Sequence, residues 1–366
     1  MHPLLRKFFG LNWILFLLMV ALLLYGFYAI YSATWMRDQD FWTSQILWAG
    51  LGMPVFFAVA LIDYRWVRWG AMPLYIVAML GLVAVMLFGE KRYGARSWLD
   101  LGFMNFQPSQ LAVIAGILII AVYLEASKQT MPFLRLLMCG VLVGAPWVMI
   151  LLEPDLGSCI VWVPILLAML FIGGIPKRWI LTLIIVGVAV LPLVAIFGLR
   201  DYQYRRLTTF INPSLDPQGD GWNINQSLDA IGSGGFYGKG FKAPNTLNEL
   251  GFLPSTIVHN DFIFSVMGEQ HGFVGGIALL LAFILLLLTG LYIASQANDD
   301  LGRLIAAGIV MLIFTHTFMN IGMTISVTPI TGLPLPLVSY GGSFLMVILL
   351  SLGLLQSVWV HRNDIR

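Results

Sequence analysis

Ten stretches of about 20 apolar residues follow one another along the 366-residue chain, and few folds can hold them. A helix of about that length crosses a bilayer core of about 30 Å. The stretches run roughly over 11–33, 43–62, 71–89, 108–125, 134–152, 156–173, 178–198, 260–293, 303–327 and 341–360. A soluble domain devotes about 25% of its residues to charge. Here the share is 10%, too little to coat a water-facing surface. Low charge together with 24 Phe and 12 Trp excludes disorder. A net charge of +2 without a basic stripe argues against nucleic-acid binding. Cys139 and Cys159 lie inside apolar runs and read as buried thiols. The expected fold class is an all-α polytopic membrane protein with about ten transmembrane helices.

Lys and Arg in short loops set orientation. An inside N-terminus places Arg6, Lys7, Arg65, Arg68, Lys128, Arg135, Lys177, Arg178, Arg303, Arg362 and Arg366 in the cytoplasm, and both termini are predicted there. The short outer loops, 34–42 and 153–155, carry only Arg37. The first stretch is too long for a signal peptide and reads as a retained anchor. The whole of 1–366 is expected to be a single transmembrane domain with one large extracytoplasmic loop at about 199–259. That loop is too irregular for a second domain. Its Leu228, Ile231, Phe236, Phe241, Leu250 and Phe252 predict packing onto the membrane face.

Few residues could do chemistry. Asp261 opens the eighth stretch, and partial desolvation there suits a carboxylate to base work. It reads equally as a helix N-cap. The run from Gly232 to Gly240 lacks the Walker spacing, but its free amides with Lys239 could cradle an anion. A flexible turn is the plainer reading. Arg200, Arg205, Arg206 and Lys242 could neutralise a pyrophosphate, hold anionic lipid, or pair with Asp201, Asp216, Asp220 and Asp229 as a solvated surface. Gln107 and Ser109 open the fourth stretch. The segment Pro329–Pro336, followed by Ser339 and Tyr340, cannot be a continuous helix. Broken backbone at membrane depth needs protein or a cavity beside it. Asn320, Glu269 and His316 are polar residues in or near spans, with a hydrogen-bonded core role favoured for His316. No metal-ligand spacing is present.

Taken together, these motifs resemble the SEDS family of shape, elongation, division and sporulation proteins, in its RodA branch. The match rests on Tyr31-Ser32-Ala33, on Gly94 to Gly102 through Arg96-Ser97-Trp98-Leu99-Asp100, and on Phe106-Gln107-Pro108-Ser109. It continues through Pro154-Asp155-Leu156-Gly157, Asp201-Tyr202-Gln203 with Arg206, and Gln226-Ser227. Ala230-Ile231-Gly232-Ser233-Gly234-Gly235, Gly238-Lys239-Gly240, and His259 with Asp261-Phe262-Ile263-Phe264 follow. Asn320-Ile321-Gly322-Met323 and Thr331 to Ser343 complete it. The resemblance implies a ten-helix fold and peptidoglycan glycosyltransferase activity on lipid II, with the catalytic aspartate at Asp261. It also implies a class B penicillin-binding protein as partner within an elongation complex, in the bacterial cytoplasmic membrane. In that chemistry Asp261 is the general base, and Arg206 and Lys239 are pyrophosphate contacts. Arg96, Gln107, Asp155 and Ser339 are substrate-cavity candidates. Pyrophosphate leaves well once its charge is neutralised by protein cations or by a divalent cation, magnesium or manganese. No cofactor beyond such an ion is expected.

The chain departs from the family pattern at Gln110 and Val113, where a Glu and a Lys are usual on one helix face. It also carries two extra residues before His259, and Gln270 where a second acid is common. Two other functions remain open. A lipid-precursor flippase calls for charges spaced through several spans, and the sequence shows few away from the outer face. A scaffold that only activates its penicillin-binding partner would make no glycan.

Overall fold

The computed structural model describes residues 7–36, 40–92, 95–100, 102, 105–197 and 201–363, and the side chains of all these except 90–92, 95, 191–197, 201 and 202. Arg6, Arg37, Gly94, Leu101, Arg200 and Arg366 lie outside the described residues. The apolar stretches form α1 (Trp13–Thr34), α2 (Phe41–Leu61), α3 (Val67–Phe88), α4 (Pro108–Ala126), α5 (Pro132–Leu152), α6 (Leu156–Ile172) and α7 (Lys177–Phe197). Helices α8 (Asp201–Ile211) and α9 (Asp220–Ser233) come next, then α10 (Ile263–Ser295), α11 (Asp300–Thr324) and α12 (Gly342–Val360). Among the described residues, eight helices are long and apolar enough to cross a membrane. The 17-residue α6 and the 21-residue α7 are the other two of the ten expected. Boundaries fall within a few residues of expectation because polar caps and prolines mark them: Asn12 and Asp299 cap α1 and α11, and Pro108 and Pro132 sit in the first turns of α4 and α5.

Helices α4, α11 and α12 are buried along most of their length, whereas α2, α3 and α5 show most of theirs outward. Exposed Leu80, Leu87, Phe88, Leu134 and Val141 make that outer face apolar, as lipid requires. Between α3 and α4, β1 (Glu90–Arg92), β2 (Ala95–Asp100) and β3 (Asn105–Phe106) form an antiparallel meander. Lys91 stands opposite Arg96, and Leu99 opposite Phe106.

Charged side chains tie one end of the bundle together. Arg68 binds Glu125 at 2.6 Å and Asp299 at 3.2 Å, and Asp299 accepts the Tyr64 hydroxyl at 2.7 Å. Lys128 pairs with Asp300. Buried Arg135 donates to the carbonyls of Leu124 and Gly173, and Lys7 meets His361 at 2.8 Å. All of these cations were expected on the cytoplasmic side, and they do share one end. The contact of Lys7 with His361 brings the two ends of the described chain to the same face, as an even number of crossings requires.

The loop at 199–259 is more regular than its sequence suggests, since it contains α8, α9 and a 3-10 turn at Pro213–Leu215. Of the apolar residues expected to pack it onto the membrane face, Phe241 lies against Tyr28 and Tyr31 of α1 and Phe236 against Phe273 of α10. Leu228, Phe236, Phe241, Leu250 and Phe252 stay exposed and Ile231 is half-buried. The buried anchors are Ile224, Ala230, Leu253 and Val258, with the polar Thr246 and Asn248. A sequence shows that a loop is sticky, but not which of its faces turns inward.

Candidate active site

Asp261 sits two residues before α10, at the end opposite the charged network. The preceding turns are closed by the Ile257 carbonyl, which accepts the amides of Asn260 and Asp261 at 3.1 and 2.8 Å. The Asp261 side chain makes no cap bond to α10, whose first position follows Phe262. The N-cap reading is therefore set aside, and the carboxylate is left available.

The unwound segment between α11 and α12 forms the opposite wall. The Asn320 amide donates to the carbonyls of Asp261 (3.1 Å) and Leu333 (2.8 Å), which binds the two segments together. Ser339 donates to the Asn260 carbonyl at 2.5 Å and accepts the Leu335 amide at 2.9 Å. The Tyr340 amide reaches the His259 carbonyl at 3.0 Å, and the His259 ring stacks on Phe41 at 3.9 Å between centroids. Gln45 of α2 donates to the Ser339 carbonyl and accepts the Gly341 amide. Ser339 therefore shapes the backbone beside Asp261. Gln45 escaped the sequence reading, although a glutamine inside an apolar stretch is a signal of its own.

Helix α6 supplies the third wall. Asp155 caps it, with one carboxyl oxygen taking the Ser158 amide at 3.0 Å. The other oxygen takes the Ser158 hydroxyl at 2.7 Å and the Gln107 amide at 3.1 Å. A Cβ on Gly157 would overlap the Thr331 carbonyl, so α6 begins in direct backbone contact with the unwound segment. Gly332, the next residue, lies about one van der Waals contact from an Asp261 oxygen: a Cβ there would stand 3.5 Å from it. Gln110 and Val113, where the family carries a charged pair, are both buried, and Gln110 faces Gln107 at 3.5 Å. A neutral pair in a dry interface leaves no orphan charge.

Electrostatics converge on the same place. Burial pushes the Asp261 carboxyl up to about 6, Arg206 pulls it down and Asp155 raises it further. The three residues thus share one field although they come from three elements. Arg206 also lies 3.4 Å from Asp220. Glu153, read from sequence as part of a polar turn, is fully buried, and among the described residues neither carboxyl oxygen has a hydrogen-bond partner. Burial pushes it up to about 8, with Asp155 adding to the effect.

The other expected residues lie apart. Arg96 is exposed on β2. Lys242 donates to the Tyr31 hydroxyl at 2.8 Å and lies 4.7 Å from the rings of Tyr31 and Trp35, which ties the loop to α1. The Lys239 ammonium is 2.7 Å from Glu269 inside α10. The glycine-rich run is neither an anion cradle nor a free turn. A Cβ on Gly234 or Gly238 would overlap the backbone of Gly268 or Gln270. His316, at 3.3 Å from the Pro334 carbonyl and against Phe344, has the core role expected of it. Among the described residues no three His, Cys, Asp or Glu gather as a metal site.

Residues 12–364 match the family model described as cell cycle protein, which groups FtsW, RodA and SpoVE. The chain belongs to this family. It is 38% identical over 347 residues to the peptidoglycan glycosyltransferase MrdB of Escherichia coli K12, covering 95% of this chain and 93% of that protein. The peptidoglycan glycosyltransferase RodA of Treponema pallidum is 32% identical over 423 residues, covering 95% of this chain and 97% of that one. Among solved structures, a chain of a peptidoglycan synthase complex that coordinates polymerization and crosslinking superposes with a TM-score of 0.82 at 29% identity, covering 97% and 99% of the two chains. Thermus thermophilus RodA gives 0.70 at 28% identity, covering 96% and 98%.

Proposed function

We infer that this chain is a peptidoglycan glycosyltransferase that polymerises lipid II into glycan strands at the outer face of a bacterial cytoplasmic membrane, for wall elongation and cell shape. Relatives that carry this activity in their names align with nearly the whole chain. The observation that carries the mechanism is Asp261. It is one half-buried carboxylate with a raised proton affinity, beside an unwound segment at the end of the bundle away from the cation network.

In the proposed step a sugar hydroxyl attacks the anomeric carbon of a second lipid-linked saccharide. The new glycosidic bond forms as the bond to pyrophosphate breaks, and the bonding pair leaves with undecaprenyl pyrophosphate. Asp261 takes the hydroxyl proton. One base suffices because the leaving group needs charge neutralisation rather than a proton, unlike the carboxylate pairs of most glycosidases. Displacement in line inverts the anomeric centre. Arg206, in the field of Asp261, is the cation suited to the pyrophosphate. Gln107 and Asp155 hold each other and line the α6 side, Ser339 fixes the opposite wall, and Arg96, exposed on β2, would contact head groups. A divalent cation, magnesium or manganese, would neutralise the pyrophosphate. Asp155 has both oxygens engaged and suits such an ion poorly, so the ion would arrive on the substrate.

The partner proposed is a class B penicillin-binding protein, since one structural relative belongs to a complex joining polymerization to crosslinking. The test is gel analysis of polymer made from lipid II by the purified pair, with and without magnesium or manganese. Native protein yields glycan and Asp261→Asn yields none. Polymer from Asp261→Asn removes Asp261 from the mechanism, and no polymer from native protein in any condition favours the scaffold.

A further inference from the structure

Helix α10 is broken. Gly272 has φ 62° and ψ −159°, so Ile263–His271 is a separate half-helix on the Asp261 side of the break. A break leaves carbonyls and amides without helical partners, and inside a bundle these must be met by protein. The glycine-rich run meets them. The amides of Lys239 and Gly240 donate to the carbonyls of Glu269 and Gln270, each at 3.0 Å. The carbonyls of Gly235 and Phe236 accept the amides of Phe273 and Val274 at 2.9 and 3.1 Å. Only residues without a Cβ allow the two backbones to lie this close, as the overlaps at Gly234 and Gly238 show. The outer loop is thus spliced into the helix.

One ion pair clamps this splice. Glu269 is fully buried, and one of its oxygens accepts the Lys239 ammonium and the Leu247 amide, both at 2.7 Å, with the Ser233 hydroxyl at 3.4 Å. Three parts of the loop therefore meet on one carboxylate oxygen. The other end of the half-helix is held by Asn320 and Ser339 through the carbonyls of Asp261 and Asn260. A nine-residue helix is about 13 Å long and stiff. Held at both ends it fixes the depth and rotation of whatever precedes it. Held at one end it can pivot, and a misplacement of about 1 Å in a reacting group can lower a rate about 100-fold.

We propose that Lys239 and Glu269 form a positioning pair for Asp261, clamping the far end of the half-helix Ile263–His271 to the outer loop and so fixing where the base stands. The inference rests on the reading of Asp261 as base. It gives Lys239 a task different from a pyrophosphate contact, and the two tasks leave different kinetic traces. A lost substrate contact raises KM, whereas a misplaced base lowers kcat. The pair is also coupled: removing Lys239 alone orphans a buried carboxylate, and neutralising both partners does not.

Polymerisation is measured against lipid II concentration for the full chain purified with its partner, in five forms: native, Asp261→Asn, Lys239→Met, Glu269→Gln and the double variant Lys239→Met/Glu269→Gln. Lys239→Met is expected to lower kcat about tenfold or more with KM changed by less than about twofold, as for loss of an interaction that acts only in the transition state. Glu269→Gln is expected to lower kcat in the same way, and the double variant to recover at least about threefold over Lys239→Met, the sign of direct coupling. A tenfold rise in KM with kcat kept, or a double variant no better than Lys239→Met, overturns the proposal. So does a native kcat in Glu269→Gln. If Lys239→Met does not fold, Glu269→Gln decides alone, because it leaves Lys239 free to reach solvent. Polymer from Asp261→Asn would instead defeat the reading beneath. An inactive Asp261→Asn beside unchanged Lys239 and Glu269 variants defeats only this inference.

Discussion

Two carboxyl groups carry the clearest expectations at the scale of single residues. As the proposed base, Asp261 would work only when ionised, and its proton affinity is raised from 3.8 to about 6. Polymerisation should therefore fall as pH drops through about 6, which an initial-rate profile between pH 5 and 8 will show. The same shift has a sign for stability. The folded state binds this proton more tightly than the unfolded chain, so the contribution is full below 3.8 and is lost as pH rises through about 6. On the order of 3 kcal/mol opposes the ionised form before solvent screening of a half-buried group is allowed for. Asp261→Asn should melt higher than native protein above pH 6 while making no polymer. Glu153, raised from 4.5 to about 8, follows the same rule over a wider window. Native protein should lose apparent melting temperature between pH 4.5 and 8, and Glu153→Gln should flatten that loss. Residue type and position made Asp261 legible in the sequence. Nothing in the sequence showed that Glu153 lacks partners, because that depends on what α5 and the neighbouring loop pack against.

The elements around the site are joined by close backbone contacts as well as by the side chains of Asn320, Ser339 and Gln45. The start of α6 touches the unwound segment at Gly157 and Thr331, and α1 touches it again at Gly26, where a Cβ would overlap the Leu337 carbonyl. Gly157→Ala should therefore push α6 away from Thr331 and disturb Gly332 beside Asp261. The expected result is a fall in polymerisation of about tenfold or more from sub-ångström misplacement, with a lower melting temperature, read in the same detergent sample. Proline content made the unwound segment visible in advance. The glycine-rich run was visible as a motif but not as a splice, since its partners are carbonyls freed by a break about 30 residues later in the chain, at Gly272.

The whole molecule is a bundle with a charged, cross-linked end and, opposite it, the end that holds Asp261. Of the surface ion pairs, those like Lys128–Asp300 contribute little singly. Together Arg65, Arg68, Glu125 and Asp299 join three interhelical connections. Both native cysteines are buried, so a single added thiol reports topology. In cells stripped of the outer envelope, a membrane-impermeant maleimide should label Leu215→Cys from outside and Gln296→Cys only after permeabilisation. Labelling of both in intact cells would contradict the orientation.

By itself the sequence determined the class of fold and the family, the places of the long apolar helices, and the acid proposed here as the base. These depend on local length, composition and motif, and a bilayer reads them directly because each span must satisfy its own backbone. Only the tertiary structure decided that Lys239 serves Glu269 and that Arg206, Asp155 and Asp261 share one field. It also decided which face of the outer loop turns inward. Those outcomes depend on contacts between segments far apart in the chain, and the close approach of backbones that settles them leaves no local pattern of residues to read.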